Sequence, residues 1–196
     1  MAADIDEKEI EARIECSRGR LTEAELAEKT VRELSRAKAM AVFSALKAPE
    51  DTLVIGADTV VALENEILGK PADRDDAVRM LRAQSKEPQQ VITGVSFVWK
   101  EDAVVTRTFT EKSLVYFHPL DDAQEARIQA YCDTDEPYDK AGAYGIQLNG
   151  GVLVDRYEGD YDNIVGFPTE RVIAELKALF DRSGCCCEGC ALKCRK

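Results

Sequence analysis

Leu53-Val-Ile-Gly-Ala-Asp58-Thr59-Val-Val61 is an apolar run broken by one carboxylate and one hydroxyl, and Gly69-Lys70-Pro71-Ala-Asp73 follows eight residues later. Residues 52–57 have the length and apolar character of a fully buried strand, which is expected to end at Asp58. Ligands of open α/β folds gather outside the carboxyl ends of strands. A carboxylate at such an end, with a lysine returning on a Gly/Pro turn, predicts a phosphate-handling site.

Around this segment, helical and extended patterns alternate, which predicts an α/β fold. Thr22-Glu-Ala-Glu25 is a capping box, and Ala27, Val31, Leu34, Ala41, Val42 and Ala45 repeat at helical spacing to about Leu46. Lys38 falls on that apolar stripe. One reading is a snorkelling side chain at the stripe edge; the other is a phosphate ligand aimed into a cleft. Val60 to Leu63 and Ile67-Leu68 predict a short hairpin around Glu64-Asn65-Glu66, and Asp73 caps a helix carrying Ala77, Met80, Leu81 and Gln84. Val91 to Trp99 and Val104 to Thr110 predict an extended pair, and Leu114 to Phe117 a separate strand. Asp121 then caps a helix to Tyr131. Residues 133–151 are too rich in glycine and polar groups for a regular element. Val152 to Tyr157 predicts one more strand, and Pro168-Thr169 opens a last helix, Glu170 to Asp181. A mixed central sheet flanked by helices is the simplest way to pair these strands.

A chain of 196 residues with 45% apolar content can bury one good core, as one domain or as two lobes sharing a sheet. No apolar run approaches the roughly 18 to 20 residues of a spanning helix. The acidic N-terminus lacks the charge pattern of a signal or transit peptide, so a cytoplasmic protein with no membrane partner is expected. A formal charge of −11 argues against general affinity for nucleic acid. Five of the seven cysteines crowd into residues 184–196, where Cys187 and Cys190 form a CxxC. With no histidine nearby, this segment reads as a disordered appendage to a domain of residues 1–183, with a metal or redox module as the alternative.

Five separated blocks carry a resemblance. Ile55-Gly-Ala-Asp-Thr-Val-Val61, Ile67-Leu-Gly-Lys-Pro-Ala-Asp73 with Asp76-Ala77 and Met80-Leu81, Val91-Ile-Thr-Gly-Val95, Asp139-Lys-Ala-Gly-Ala-Tyr-Gly-Ile-Gln147, and Gly159-Asp-Tyr-Asp-Asn-Ile-Val-Gly-Phe-Pro168 resemble, in order and spacing over residues 4–181, the Maf family of nucleoside triphosphate pyrophosphatases. Asp4-Ile-Asp-Glu7 and Ala37-Lys38-Ala39 are similar to two further family positions. The resemblance implies an inosine triphosphatase-like α/β fold of two lobes with a nucleotide cleft between them. It also implies homodimers, a divalent cation (Mg²⁺ or Mn²⁺), and hydrolysis of a nucleoside triphosphate to its monophosphate and pyrophosphate.

That reaction requires a base for water, cations for developing charge and a pocket for the nucleobase. Asp58 is the natural proton acceptor, and it could instead hold the metal. Lys38 and Lys70 supply point charges for the triphosphate. Glu7 would join the metal or water network, or else is an exposed acid of the leader. Gln147 offers a donor and an acceptor to the imide face of uracil or thymine. Thr59 is similar to a second specificity position, and Lys140 shapes the same wall. An Ala-Asp-Thr block with a Tyr-Gly-Ile-Gln block resembles the subgroup acting on dTTP and UTP; the 7-methyl-GTP subgroup usually reads Ser-Asp-Gln.

Two features depart from the family pattern. Family members begin with a strand leading into a Ser-x-Ser-Pro-Arg-Arg loop, whereas this chain starts after that segment, near Asp4. The expectation is a weakened phosphate clamp, which leaves open a catalytically inactive, nucleotide-binding regulator. Gln84-Ser-Lys-Glu-Pro-Gln-Gln90 stands where the family usually has Leu-Ser-Gly-x-x-His.

Overall fold

The computed structural model describes residues 5–46 and 52–182. Asp4, the Cys-rich segment 184–196 and its Cys187–Cys190 pair lie outside the described residues.

Six helices and a five-stranded sheet form the α/β fold. Helices α1 (Glu7–Glu15) and α2 (Glu23–Ala45) come first, then β1 (Val54–Ala62), β2 (Ile67–Leu68), α3 (Arg74–Gln84), β3 (Gln89–Lys100), β4 (Val104–Phe117), α4 (Asp122–Cys132), β5 (Val154–Glu158), α5 (Tyr161–Val165) and α6 (Thr169–Arg182). The predicted caps form: Thr22 and Glu25 bond reciprocally at the start of α2, and the Asp73 and Asp121 carboxylates accept backbone N–H bonds opening α3 and α4. Helix α1 is an addition to the sequence reading. Asp6 caps it, yet Ile14 is its one buried residue, so it carries no apolar stripe.

The strand order is β2-β1-β3-β4-β5. Helices flank the sheet as expected, but its four pairings among the described residues are all antiparallel rather than mixed. Short connections such as residues 101–103 between β3 and β4 dictate that direction. Two strand limits also differ. The run holding Asp58 does not stop there; Asp58 pairs with Gly94 in mid-strand, and pairing continues to Ala62. Residues 104–117 form one strand, because the polar groups that interrupt its apolar pattern find partners. Lys112 pairs with Glu28 of α2, while the Ser113 hydroxyl donates to the Asp160 carbonyl and accepts from Asn163.

Alternation then sorts the side chains. Val54, Ala62, Ile92 and Val98 pack against Ala27, Val31, Ala39 and Phe43 of α2. On the opposite face, Val61, Val91, Val115 and Phe117 meet Ala77, Met80 and Leu81 of α3 and Ile128 and Tyr131 of α4, whereas Val95, Phe97 and Phe109 meet Val172 of α6. Residues 133–153 fold into three short 3-10 turns over the first of these cores. No helix among the described residues is long and apolar enough to cross a membrane.

Two glycines bring α2 unusually close to the sheet. A methyl group at Gly56 would lie 2.4 Å from the Ser35 carbonyl oxygen and 2.8 Å from the Ala39 nitrogen; at Gly94 it would lie 2.4 Å from the Val31 carbonyl oxygen. These neighbours are helix backbone and cannot rotate away. Gly94→Ala is therefore expected to destabilise the fold by about 2 kcal/mol or more, as overpacking of a rigid contact does. Urea unfolding at equilibrium checks this: the midpoint falls and the slope stays unchanged.

Candidate active site

Asp58 alternates to the α2 side of β1, where the close approach of the helix places Lys38 against it. The Lys38 ammonium donates to Asp58 Oδ1 at 2.6 Å and pairs with Glu7 Oε1 of α1 at 2.9 Å. Lys38 thus ends on two carboxylates, so the reading in which its head snorkels into open water does not hold. Burial decides which carboxylate is special: the Asp58 side chain keeps 12% of its exposure and Glu7 keeps 48%. Burial pushes the Asp58 carboxyl above its ordinary value against the pull of Lys38, and the negative charges of Glu7 and Glu11 push the same way. Burial opposes the charge on Lys38, but its bonds and attraction to Asp58 and Glu7 outweigh that and raise its pKa.

Thr59, one residue on, points to the opposite face. Its hydroxyl bonds to Thr93 Oγ1 at 2.9 Å and to the Gly166 carbonyl at 3.3 Å. Lys70 is exposed on the turn after β2, and the Gly69 carbonyl before it accepts from Gly142 N–H at 3.0 Å. That bond joins the turn to the segment carrying Lys140 and Gln147. Lys140 Nζ donates to the Glu136 carbonyl and to Asp139, and Lys70 also stabilises the charge of Asp139. Gln147 is exposed two residues beyond Gly145. The predicted residues therefore fall into two groups, Glu7–Lys38–Asp58 on the α2 face and Lys70–Lys140–Gln147 with Thr59 on the other.

The Maf-like protein family matches residues 1–179. The chain belongs to the Maf family. Among curated relatives, the dTTP/UTP pyrophosphatase of Agathobacter rectalis is 45% identical over 161 residues, covering 76% of this chain and 77% of the relative. Its namesake in Thermoanaerobacter sp. is 44% identical, covering 77% and 76%, and that of Hahella chejuensis is 43% identical, covering 90% and 79%.

Three groups around the candidate site were given no role by the sequence reading. Glu11 lies one helical turn beyond Glu7 and adds negative charge near Asp58; the signal was the Asp6-x-x-Glu9 cap, which would have drawn residues 7–15 as a helix. Thr93 is fully buried as the partner of Thr59. Asn163 donates to the Val91 carbonyl and to Ser113 Oγ, holding α5, and with it Gly166, against β3.

The electrostatics of the triad can be read directly. In a ¹³C NMR titration the Asp58 carboxyl is expected to titrate above the ordinary aspartate value of 3.8. Lys38→Met should move that midpoint further up, because an attracting cation is lost, and Glu7→Gln should move it down, because a repelling anion is lost. Shifts of equal sign in the two variants would contradict the assigned contacts.

Proposed function

We propose that this Maf family chain hydrolyses the pyrimidine triphosphates dTTP and UTP to the monophosphate and pyrophosphate, with Asp58 accepting the proton of the attacking water. The observation that carries this reading is a partly buried carboxylate held at 2.6 Å by a lysine, with its pKa pushed up by that burial. Relatives covering about three quarters of the chain bear the name dTTP/UTP pyrophosphatase, which supports the choice of substrate.

In the proposed reaction, water oxygen bonds to the α-phosphorus, the bond from that phosphorus to the bridging oxygen breaks, and pyrophosphate leaves with the electron pair. Asp58 takes the proton from water as the bond forms. A base of raised pKa suits that step, since its protonation becomes more favourable near working pH. Lys38 fixes the carboxylate before reaction and lies beside it as a counter-charge for phosphate oxygens. From Val54 to Val60 the outer edge of β1 pairs with no strand among the described residues. A triphosphate lying along that edge reaches groups on both faces: the triad on one, Lys70 and Lys140 on the other, with Gln147 and Thr59 toward the base.

The donor set fits a divalent cation. Asp58 and Glu7 already converge on a single positive charge, the Lys38 ammonium. No cluster of three or more His, Cys, Asp or Glu forms a metal site among the described residues. Two carboxylates, with phosphate and water completing the shell, match the way Mg²⁺ is usually held in such sites. When bound, the cation would polarise phosphate oxygens and neutralise charge on the leaving group.

Pyrophosphate release from UTP, dTTP, CTP and GTP with Mg²⁺ tests the reading. UTP and dTTP should turn over fastest. Asp58→Asn should lower kcat by about 10²- to 10⁴-fold, the usual worth of a positioned base. Lys70→Ala should raise KM about tenfold or more, as loss of a charged contact does. Because Asp58 must be ionised to act and its pKa is raised, kcat/KM should fall as pH drops through that raised value and level off above it. Binding of UTP without pyrophosphate release would instead support a nucleotide-binding regulator.

A further inference from the structure

Gln84, at the end of α3, stands out as a polar side chain in the large core, with 1% of its surface exposed. Its amide nitrogen donates to the Gly142 carbonyl at 2.7 Å and to the Met80 carbonyl at 3.2 Å. Its amide oxygen is buried with no hydrogen-bond partner among the described residues. A leucine of similar volume would remove the orphaned oxygen but leave the buried Gly142 carbonyl without its donor. What the amide adds is the grip on Gly142.

That grip lies on a direct route to the phosphate-facing lysines. Gly142 accepts from Gln84 on one side and donates to the Gly69 carbonyl on the other, at 3.0 Å. Lys70 follows Gly69 in the chain; Lys140 precedes Gly142 by two residues and Gln147 follows by five. Two further side chains pin the same segment from α4: Tyr131 Oη accepts from Gly145 N–H at 3.3 Å, and Gln124 donates to the Leu153 carbonyl at 3.1 Å. Of the three, Gln84 is the one whose bond sits on the residue that touches the Lys70 turn.

We propose that Gln84 is a positioning residue for substrate binding, setting the loop of Lys140 and Gln147 against the Lys70 turn so that both lysines address one triphosphate. The proposal rests on the pyrophosphatase reading above. Lysines misplaced in this way weaken substrate and transition state alike, so the loss falls on KM more than on kcat.

The test compares the wild-type chain with Gln84→Leu and Gln84→Glu in pyrophosphate release from UTP with Mg²⁺, alongside UTP calorimetry and thermal unfolding. Gln84→Leu should raise KM about five- to tenfold with kcat within twofold, and lower Tm modestly as the buried Gly142 carbonyl loses its donor. Gln84→Glu supplies a signature that packing alone would not give. A buried carboxyl stays protonated well above its usual pKa and can donate to the Gly142 carbonyl, whereas the ionised form repels it. Its KM relative to wild type should be near one at pH 6 and rise several-fold toward pH 9.

Unchanged KM in Gln84→Leu, or a flat ratio across pH in Gln84→Glu, overturns the proposal. Should Gln84→Leu not fold, the pH profile of Gln84→Glu decides alone. A wild-type chain that binds UTP without turnover defeats the pyrophosphatase reading only, and the same comparisons are then made on Kd. A wild-type chain that neither binds nor hydrolyses UTP overturns both.

Discussion

The seating of α2 on the sheet is the constraint from which the rest of the molecule follows. Gly56 and Gly94 let helix backbone press on strand backbone, and polar pairs fix where along the sheet it does so. Glu28 meets Thr110 and Lys112 near one end. Ser35 bonds to Ser96 at 3.0 Å, and Ser96 to Thr108 at 2.8 Å, in the middle. Lys38 meets Asp58 beyond them. Apolar packing alone tolerates sliding by a turn, but a row of directional partners does not. The Lys38–Asp58 contact is therefore one tooth of a register that runs on to Met40 and Thr106.

Successive residues on a strand point to opposite faces, so Asp58 and Thr59 cannot serve the same side of the sheet. That geometry gives their adjacency in sequence a specific meaning. Asp58 belongs to an ion-paired group with Lys38 and Glu7. Thr59 belongs to a network of Thr93 and the Gly166 carbonyl that secures the end of α5. One strand thus carries both groups, one on each face of the sheet.

Legibility in the sequence followed the kind of force involved. Elements driven by periodic apolar burial or by caps were readable: α2, α3 and α4 began at Thr22, Asp73 and Asp121 as their side chains foretold, and the β1–β2 hairpin appeared around Glu64-Asn65-Glu66. Long-range partners were not. Glu111-Lys112-Ser113 read as a break because Lys112 and Ser113 are satisfied by Glu28 and Asn163, residues far away in the chain. Helix α1 was missed because it buries almost nothing. At the candidate site, the residue blocks named candidates, but the division of Asp58 from Thr59 depends on strand alternation, and the bond from Gln84 to Gly142 spans 58 residues of chain.

The charge around Asp58 bears on the proposed substrate and the proposed cation together. Asp58 and Glu7 flank one ammonium, and Glu11 adds further negative charge near Asp58, in a chain of formal charge −11. In a partly buried setting, where each charge is weakly screened, that balance draws cations and repels a bare polyanion. Under the proposed function, a triphosphate would approach favourably when already paired with a divalent cation, because the complex would bring positive charge to the carboxylates and leave fewer phosphate charges for Lys70 and Lys140 to neutralise. On the proposed reading, the acidity of this corner favours the metal complex over the free nucleotide as substrate.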